Sequence, residues 1–115
     1  MKLIECKNSH NIYMVMKENQ DVSDKELVTN SVDAAYEKHV PQYSVEGDKV
    51  KVFVNHVMEE DHYIEWILVE YQNRQVIQYF KPGEEASMTV DYEEEMQLYS
   101  FCNKHGLWKN EVSEK

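Results

Sequence analysis

Five histidines and two cysteines are the side chains of this 115-residue chain best suited to hold a soft or borderline metal ion. Cys6 and His10 fall among the first ten residues, whereas His39, His56, His62, Cys102 and His105 occur later, mostly where strands should begin or end. His39 precedes Pro41, and His56 and His62 flank the acidic turn Val57-Met58-Glu59-Glu60-Asp61. Cys102 and His105 form a Cys-x-x-His pair placed beyond the last expected strand, a spacing that lets a thiolate and an imidazole meet one ion. Loops at one end of a β-sandwich gather in space, so these five donors could converge. Each also has an ordinary reading: a lone loop histidine is usually solvated, and the runs Glu59-Glu60-Asp61 and Glu93-Glu94-Glu95 are those of solvated turns.

The elements that must position these groups are strands. Segments 49–54, 63–71, 75–80, 86–92 and 96–101 are rich in β-branched and aromatic residues with partial alternation, and turn signals separate them at sandwich-like spacing. A strand over 42–45 and one more upstream complete the expected fold, an all-β, immunoglobulin-like antiparallel sandwich. Residues 1–36 read as a small appendage, with short strands over 3–6 and 12–16 joined by Lys7-Asn8-Ser9-His10-Asn11. Within it Ser23-Asp24-Lys25-Glu26 has the form of a capping box and predicts one helical turn over 24–28. The last residues, 110–115, read as a frayed tail.

Twelve basic against 22 acidic residues leave a net charge of −10, which repels nucleic acid phosphates and anionic lipid headgroups. The 42% of hydrophobic residues suffice for one packed core, and no apolar run approaches the roughly 20 residues that a membrane-spanning helix needs. Glu5 interrupts the only apolar stretch near the N-terminus, so no signal peptide is expected and a reducing cytoplasm is the default location. There a Cys6–Cys102 disulfide is disfavoured.

Four stretches in order, Glu37-Lys38-His39-Val40-Pro41, the run from His56 to Ile67, Lys81-Pro82-Gly83, and Cys102-Asn103-Lys104-His105-Gly106-Leu107-Trp108-Lys109, resemble the iron domain of the superoxide reductases, the neelaredoxin and desulfoferrodoxin family. The resemblance covers about 36–109. It implies one mononuclear non-haem iron held by the imidazoles of His39, His56, His62 and His105 in a plane and by the axial thiolate of Cys102. It implies further that Glu37 takes the sixth position in the ferric form, and that Lys38 draws in superoxide and helps protonate the product. A rubredoxin-like electron donor and a homodimer or homotetramer are implied in the same way. Because neighbours in an extended segment point oppositely, a loop movement is expected to turn Lys38 inward for reduction and Glu37 inward afterwards.

A donor set of four nitrogens and one sulfur exceeds the tetrahedron of structural zinc and suits five-coordinate iron with a vacant site. A thiolate opposite that vacancy pushes electron density through the metal toward whatever binds there. The alternatives are a non-catalytic metal-binding or electron-transfer protein on the same sandwich. A copper carrier would use only two histidines and a cysteine.

Two departures from the family matter. Longer members carry an N-terminal iron centre of four thiolates, but here the first motif reads Cys6-Lys7-Asn8-Ser9 and the region of the later pair reads Asp21-Val22-Ser23-Asp24-Lys25. Residues 1–36 therefore read as a vestige of that domain beside the iron-binding domain at 37–115, with Cys6 a small buried side chain and His10 a surface one. Val57 stands where the family usually has proline, which loosens the turn behind His56.

Overall fold

The computed structural model describes residues 1–16, 25–31 and 34–113. Three short strands, β1 (Leu3–Glu5), β2 (Ile12–Met14) and β3 (Lys25–Glu26), precede a single helical turn, α1 (Tyr36–His39). Seven strands follow: β4 (Gln42–Glu46), β5 (Lys49–Phe53), β6 (Ile64–Glu70), β7 (Gln75–Tyr79), β8 (Ser87–Asp91), β9 (Gln97–Cys102) and β10 (Gly106–Glu111). They form two antiparallel sheets, one ordered β4-β5-β8 and the other β10-β9-β6-β7, which is the expected sandwich.

Side-chain alternation explains the packing. In β5 the lysines Lys49 and Lys51 face water while Val50 and Val52 are fully buried, beside Val90 and Met88 of the same sheet and in one core with Val69 and Leu98 of the other. Strand β6 is buried on both faces, because Ile67 and Val69 point into that core whereas Trp66 and Leu68 point the other way. The small sheet β2-β1-β3 covers this outer face, with Leu3 packed into a cluster with Trp66, Leu68, Tyr99 and Leu107. Burying an aliphatic side chain of this kind contributes roughly 1.5–3 kcal/mol, which offsets part of the cost of ordering the N-terminal strands.

Several expectations are corrected. Lys25 and Glu26 pair with β1 as a strand instead of forming a helical turn, since tertiary pairing outweighs a local capping pattern; Ser23 and Asp24 of that pattern lie outside the described residues. Cys102 does not lie past the final strand: it ends β9, and β10 follows it. Asn110 and Glu111 belong to β10 and Val112 is buried beyond it, so the frayed tail expected from 110 onward is structured through Val112. Glu37 and Lys38 sit on a helical turn, not in an extended segment. Cys6 is half-buried because it leaves β1 at the start of a turn, while His10 lies exposed near Glu5 in the same turn. Cys6 and Cys102 are not joined to each other in a disulfide.

Tyr99 of β9 is buried and donates its hydroxyl hydrogen to Glu70 at 3.4 Å. Burial first, and then the Glu70 carboxylate, push its pKa up to about 12. The folded protein thus keeps this proton where the unfolded chain, with an ordinary tyrosine near 10, releases it. This group leaves stability unaffected below about pH 10 and lowers it by up to roughly 3 kcal/mol as pH rises toward 12. Denaturant midpoints measured across that window should fall for the parent protein and fall less for Tyr99→Phe.

Candidate metal centre

His39 is delivered by α1. The turn stops at once because Val40 precedes Pro41 and must be extended, and the buried Pro41 ring locks the exit. His56 and His62 lie on the connection between β5 and β6. There Glu59 and His62 exchange backbone hydrogen bonds of 2.9 and 3.2 Å, closing the acidic turn with Glu59, Glu60 and Asp61 in solvent. The Gly83 N–H donates to the Met58 carbonyl at 2.8 Å and ties this connection to the Lys81-Pro82-Gly83 turn. Cys102 and His105 flank the tight turn joining β9 to β10, where Gly106 takes φ +79°, a conformation that favours glycine. A register shift between Ile64 and Trp66 leaves Ile64 opposite Cys102 and ends the sheet's regular pairing beside the site.

These segments bring five of the expected residues together. One donor atom from each of His39, His56, His62, Cys102 and His105 lies within 4.8 Å of all the others. The imidazoles form a closed circuit of edge-on contacts, His39 to His56, His56 to His62, His62 to His105 and His105 back to His39, with centroids 4.6–5.1 Å apart. The Cys102 Sγ is fully buried, 3.6 Å from His56 Nε2 and 3.7 Å from His105 Nδ1.

Their outer contacts set which nitrogen each ring presents. His39 Nδ1 donates to the Ala35 carbonyl at 2.7 Å and His56 Nδ1 to the Val57 carbonyl, so both rings turn a bare Nε2 inward. His105 faces inward through Nδ1, which lies 3.0 Å from His39 Nε2. His62 Nε2 is buried without a hydrogen-bond partner among the described residues. An orphan of that kind costs roughly 1–3 kcal/mol, a penalty that a coordinated cation removes. Burial lowers the pKa of His39 and of His56, outweighing the carbonyl hydrogen bonds that act to raise them, and the neighbouring imidazoles lower both further. Both rings are thereby held neutral, the form that coordinates metal. The residues present therefore fit a single ion with mixed nitrogen and sulfur ligation.

Glu37 and Lys38 are exposed on α1. The Glu37 carboxylate lies outside the group of five donors, on the side of the turn facing Val40, Gln42, Tyr43 and Asn110, although its charge still reaches His39. The structure also brings in supporting residues that spacing did not single out for a role. Trp108, fully buried, stacks on His39 at 4.9 Å with an angle of 27° and donates its indole N–H to the His105 carbonyl at 3.0 Å. The Ser100 hydroxyl donates to the His39 carbonyl at 2.6 Å. Asn103 accepts from the Tyr63 N–H and donates to the Asp61 carbonyl, both at 3.0 Å, which fastens the His62 connection to the Cys102 turn. Trp108 and Asn103 both lie within the Cys102–Lys109 motif but carry no role by spacing alone, and nothing in sequence distinguishes Ser100 from a surface polar residue.

The desulfoferrodoxin family pattern matches residues 31–111. A desulfoferrodoxin of Desulfarculus baarsii is 43% identical over 98 residues, covering 81% of this chain and 75% of its own. A superoxide reductase of Thermococcus kodakarensis is 32% identical over 101 residues, covering 67% of this chain and 87% of its own. Among solved structures, the superoxide reductase from Treponema pallidum superposes over 96% of this chain and 99% of its own with a TM-score of 0.71 and 26% identity.

Proposed function

Because this chain belongs to the desulfoferrodoxin family, we propose that it is a superoxide reductase, which converts superoxide to hydrogen peroxide with one electron and two protons and releases no oxygen. The observation that carries this reading is the convergence of His39, His56, His62, His105 and Cys102, with a buried His62 nitrogen that no other described residue satisfies. Mononuclear iron held by these five residues supplies the electron. The chain's own task is to hold Cys102 as a thiolate, keep the imidazoles neutral and bare on their inner nitrogens, and bring an anion to the centre.

That last task meets an unfavourable field, since the protein carries −10 and the substrate is negative. Lys38 adjoins His39 on α1, and an ammonium drawn toward the centre would offset the negative field locally. Lys38→Ala should slow the reaction of the reduced protein with superoxide by roughly tenfold at low ionic strength. The deficit should shrink as salt shortens the Debye length to about 10 Å at 0.1 M. Pulse radiolysis at several salt concentrations measures this; rates indifferent to both variables would remove Lys38 from the pathway. Glu37 would supply a further carboxylate ligand to oxidised iron, for which α1 would have to rearrange from its present exposed setting.

Electrons come from a small rubredoxin-like carrier, and the chain works as a homodimer or homotetramer in the cytoplasm, where Cys102 stays reduced. Residues 1–36 are a relic of a four-thiolate iron domain, so iron should bind at one atom per chain. Metal analysis followed by superoxide consumption with a supplied reductant tests the reading. Iron binding with consumption and no oxygen release upholds it; iron without consumption indicates a non-catalytic metal protein, and preferential copper binding indicates an electron carrier.

A further inference from the structure

We propose that two copies of this chain join through β7, pairing antiparallel about a twofold axis at Ile77, so that two four-stranded sheets become one continuous sheet. This deepens the assembly part of the reading above and does not depend on its chemistry.

The argument begins with how the sheet edges are protected. Unpaired strand edges invite another strand, and proteins usually block them with charge, proline or a covering segment. The β10 edge is covered: Asn30 accepts from the Lys109 N–H at 2.7 Å through Oδ1, donates to the Lys109 carbonyl through Nδ2, and donates its backbone N–H to Leu107. The β8 edge carries Asp91, ion-paired with Lys49, and the β4 edge carries Glu46. Strand β7, Gln75-Val76-Ile77-Gln78-Tyr79, has no charged residue and no proline, and among the described residues only β6 pairs with it.

The hydrogen-bond parity of β7 then fixes the register. At its two ends the Tyr71 N–H donates to Arg74 and the Phe80 N–H donates to Glu65, each at 2.9 Å. In an antiparallel ladder this alternation continues, so 74, 76, 78 and 80 bond toward β6. The N–H and C=O of Gln75, Ile77 and Tyr79 consequently point to the open side. A twofold axis through Ile77 sets Ile77 against Ile77 and Gln75 against Tyr79 of the second copy, and every outward group of the three residues finds its complement.

Side chains and charge agree with that pairing. Ile77 and Tyr79 lie opposite Leu68 and Trp66 on the outer face, yet remain 41% and 71% exposed, with the 50% exposed Tyr13 beside them. Two copies each at −10 repel most of one another's surface. An uncharged strand flanked by aliphatic and aromatic side chains is where they meet at least cost.

The test uses the full iron-loaded chain in sedimentation and light scattering. Ile77→Pro removes an outward N–H and no bond to β6, so the sheet tolerates it while pairing between copies is lost. The assembly mass, twice the 13.7-kDa chain or a larger even multiple, should halve in this variant with circular dichroism unchanged. If the proline variant fails to fold, Ile77→Lys, which sets two ammonium groups against each other at the axis, should give the same halving. Hydrogen exchange should show the amides of Gln75, Ile77 and Tyr79 protected in the parent and open in the variant. A parent protein of 13.7 kDa, a variant of undiminished mass, or outward amides exchanging freely in the parent assembly would overturn the pairing. None of these readouts depends on superoxide consumption, so failure here leaves the proposed activity standing, and the reverse also holds.

Discussion

Cys102→Ser is expected to abolish superoxide consumption and to weaken iron binding by more than about 100-fold, the upper range for losing even an outer-shell partner of a ligand. The substitution is nearly isosteric, so its effect is chemical. A serine hydroxyl stays protonated at neutral pH, which removes the one anionic donor among five and the only one that pushes electron density strongly through the metal. The fold should survive: Cys102 is fully buried at the end of β9, and replacing sulfur by an unpaired hydroxyl there costs roughly 1–3 kcal/mol. Chelator competition and the loss of sulfur-to-iron charge-transfer absorption provide the measurements. Undiminished turnover in a serine variant that retains iron would show that the sulfur is not a ligand and would undo the functional reading.

Trp108→Ala should produce the second large effect, for two reasons that a milder variant separates. Emptying a fully buried indole site costs roughly 3–5 kcal/mol, a large part of the stability of a domain this size. Trp108→Phe keeps an aromatic face against His39 but cannot donate to the His105 carbonyl. Losing that bond should cost about 1 kcal/mol of stability and lower iron affinity roughly 10- to 100-fold, because His105 is then free to pivot about the turn. Thermal melts with and without iron distinguish the two contributions. An unchanged iron affinity in Trp108→Phe would reduce Trp108 to a packing residue.

What sequence reading reached, and where it stopped, follows from which interactions are local. Strands β5 to β9 announce themselves because Val50 and Val52, or Ile67 and Val69, repeat at the period of a pleat, and their ends were placed within one or two residues. Strand β10 escaped because Lys109, Asn110 and Glu111 look like a solvated terminus; its place in the sheet depends on register with β9 and on the edge contact from Asn30. The one-turn α1 was read as extended because four residues hold too little pattern to count. The five donors were visible as residue types at strand ends, whereas the nitrogen each ring turns inward depends on carbonyls such as those of Ala35 and Val57 that only folded geometry supplies. Ser100 bonds to the ligand His39, 61 residues away, and Asn103 to Tyr63 and Asp61 on either side of the ligand His62, 40 and 42 residues away, and such contacts leave no local trace.

The outer contacts of the ligands bear on speed as well as affinity. His39 is held by Ala35 through its ring, by Ser100 through its carbonyl and by Trp108 through its face, while Asn103 ties the His62 and Cys102 segments at fixed separation. A centre that changes oxidation state twice per cycle must pass electrons with little shift of its ligands, since every displacement adds to the reorganisation barrier. A scaffold whose outer contacts hold the ligands in place keeps that barrier low in both directions. Loosening any one anchor should therefore slow oxidation and re-reduction alike, even where the resting affinity for iron hardly changes.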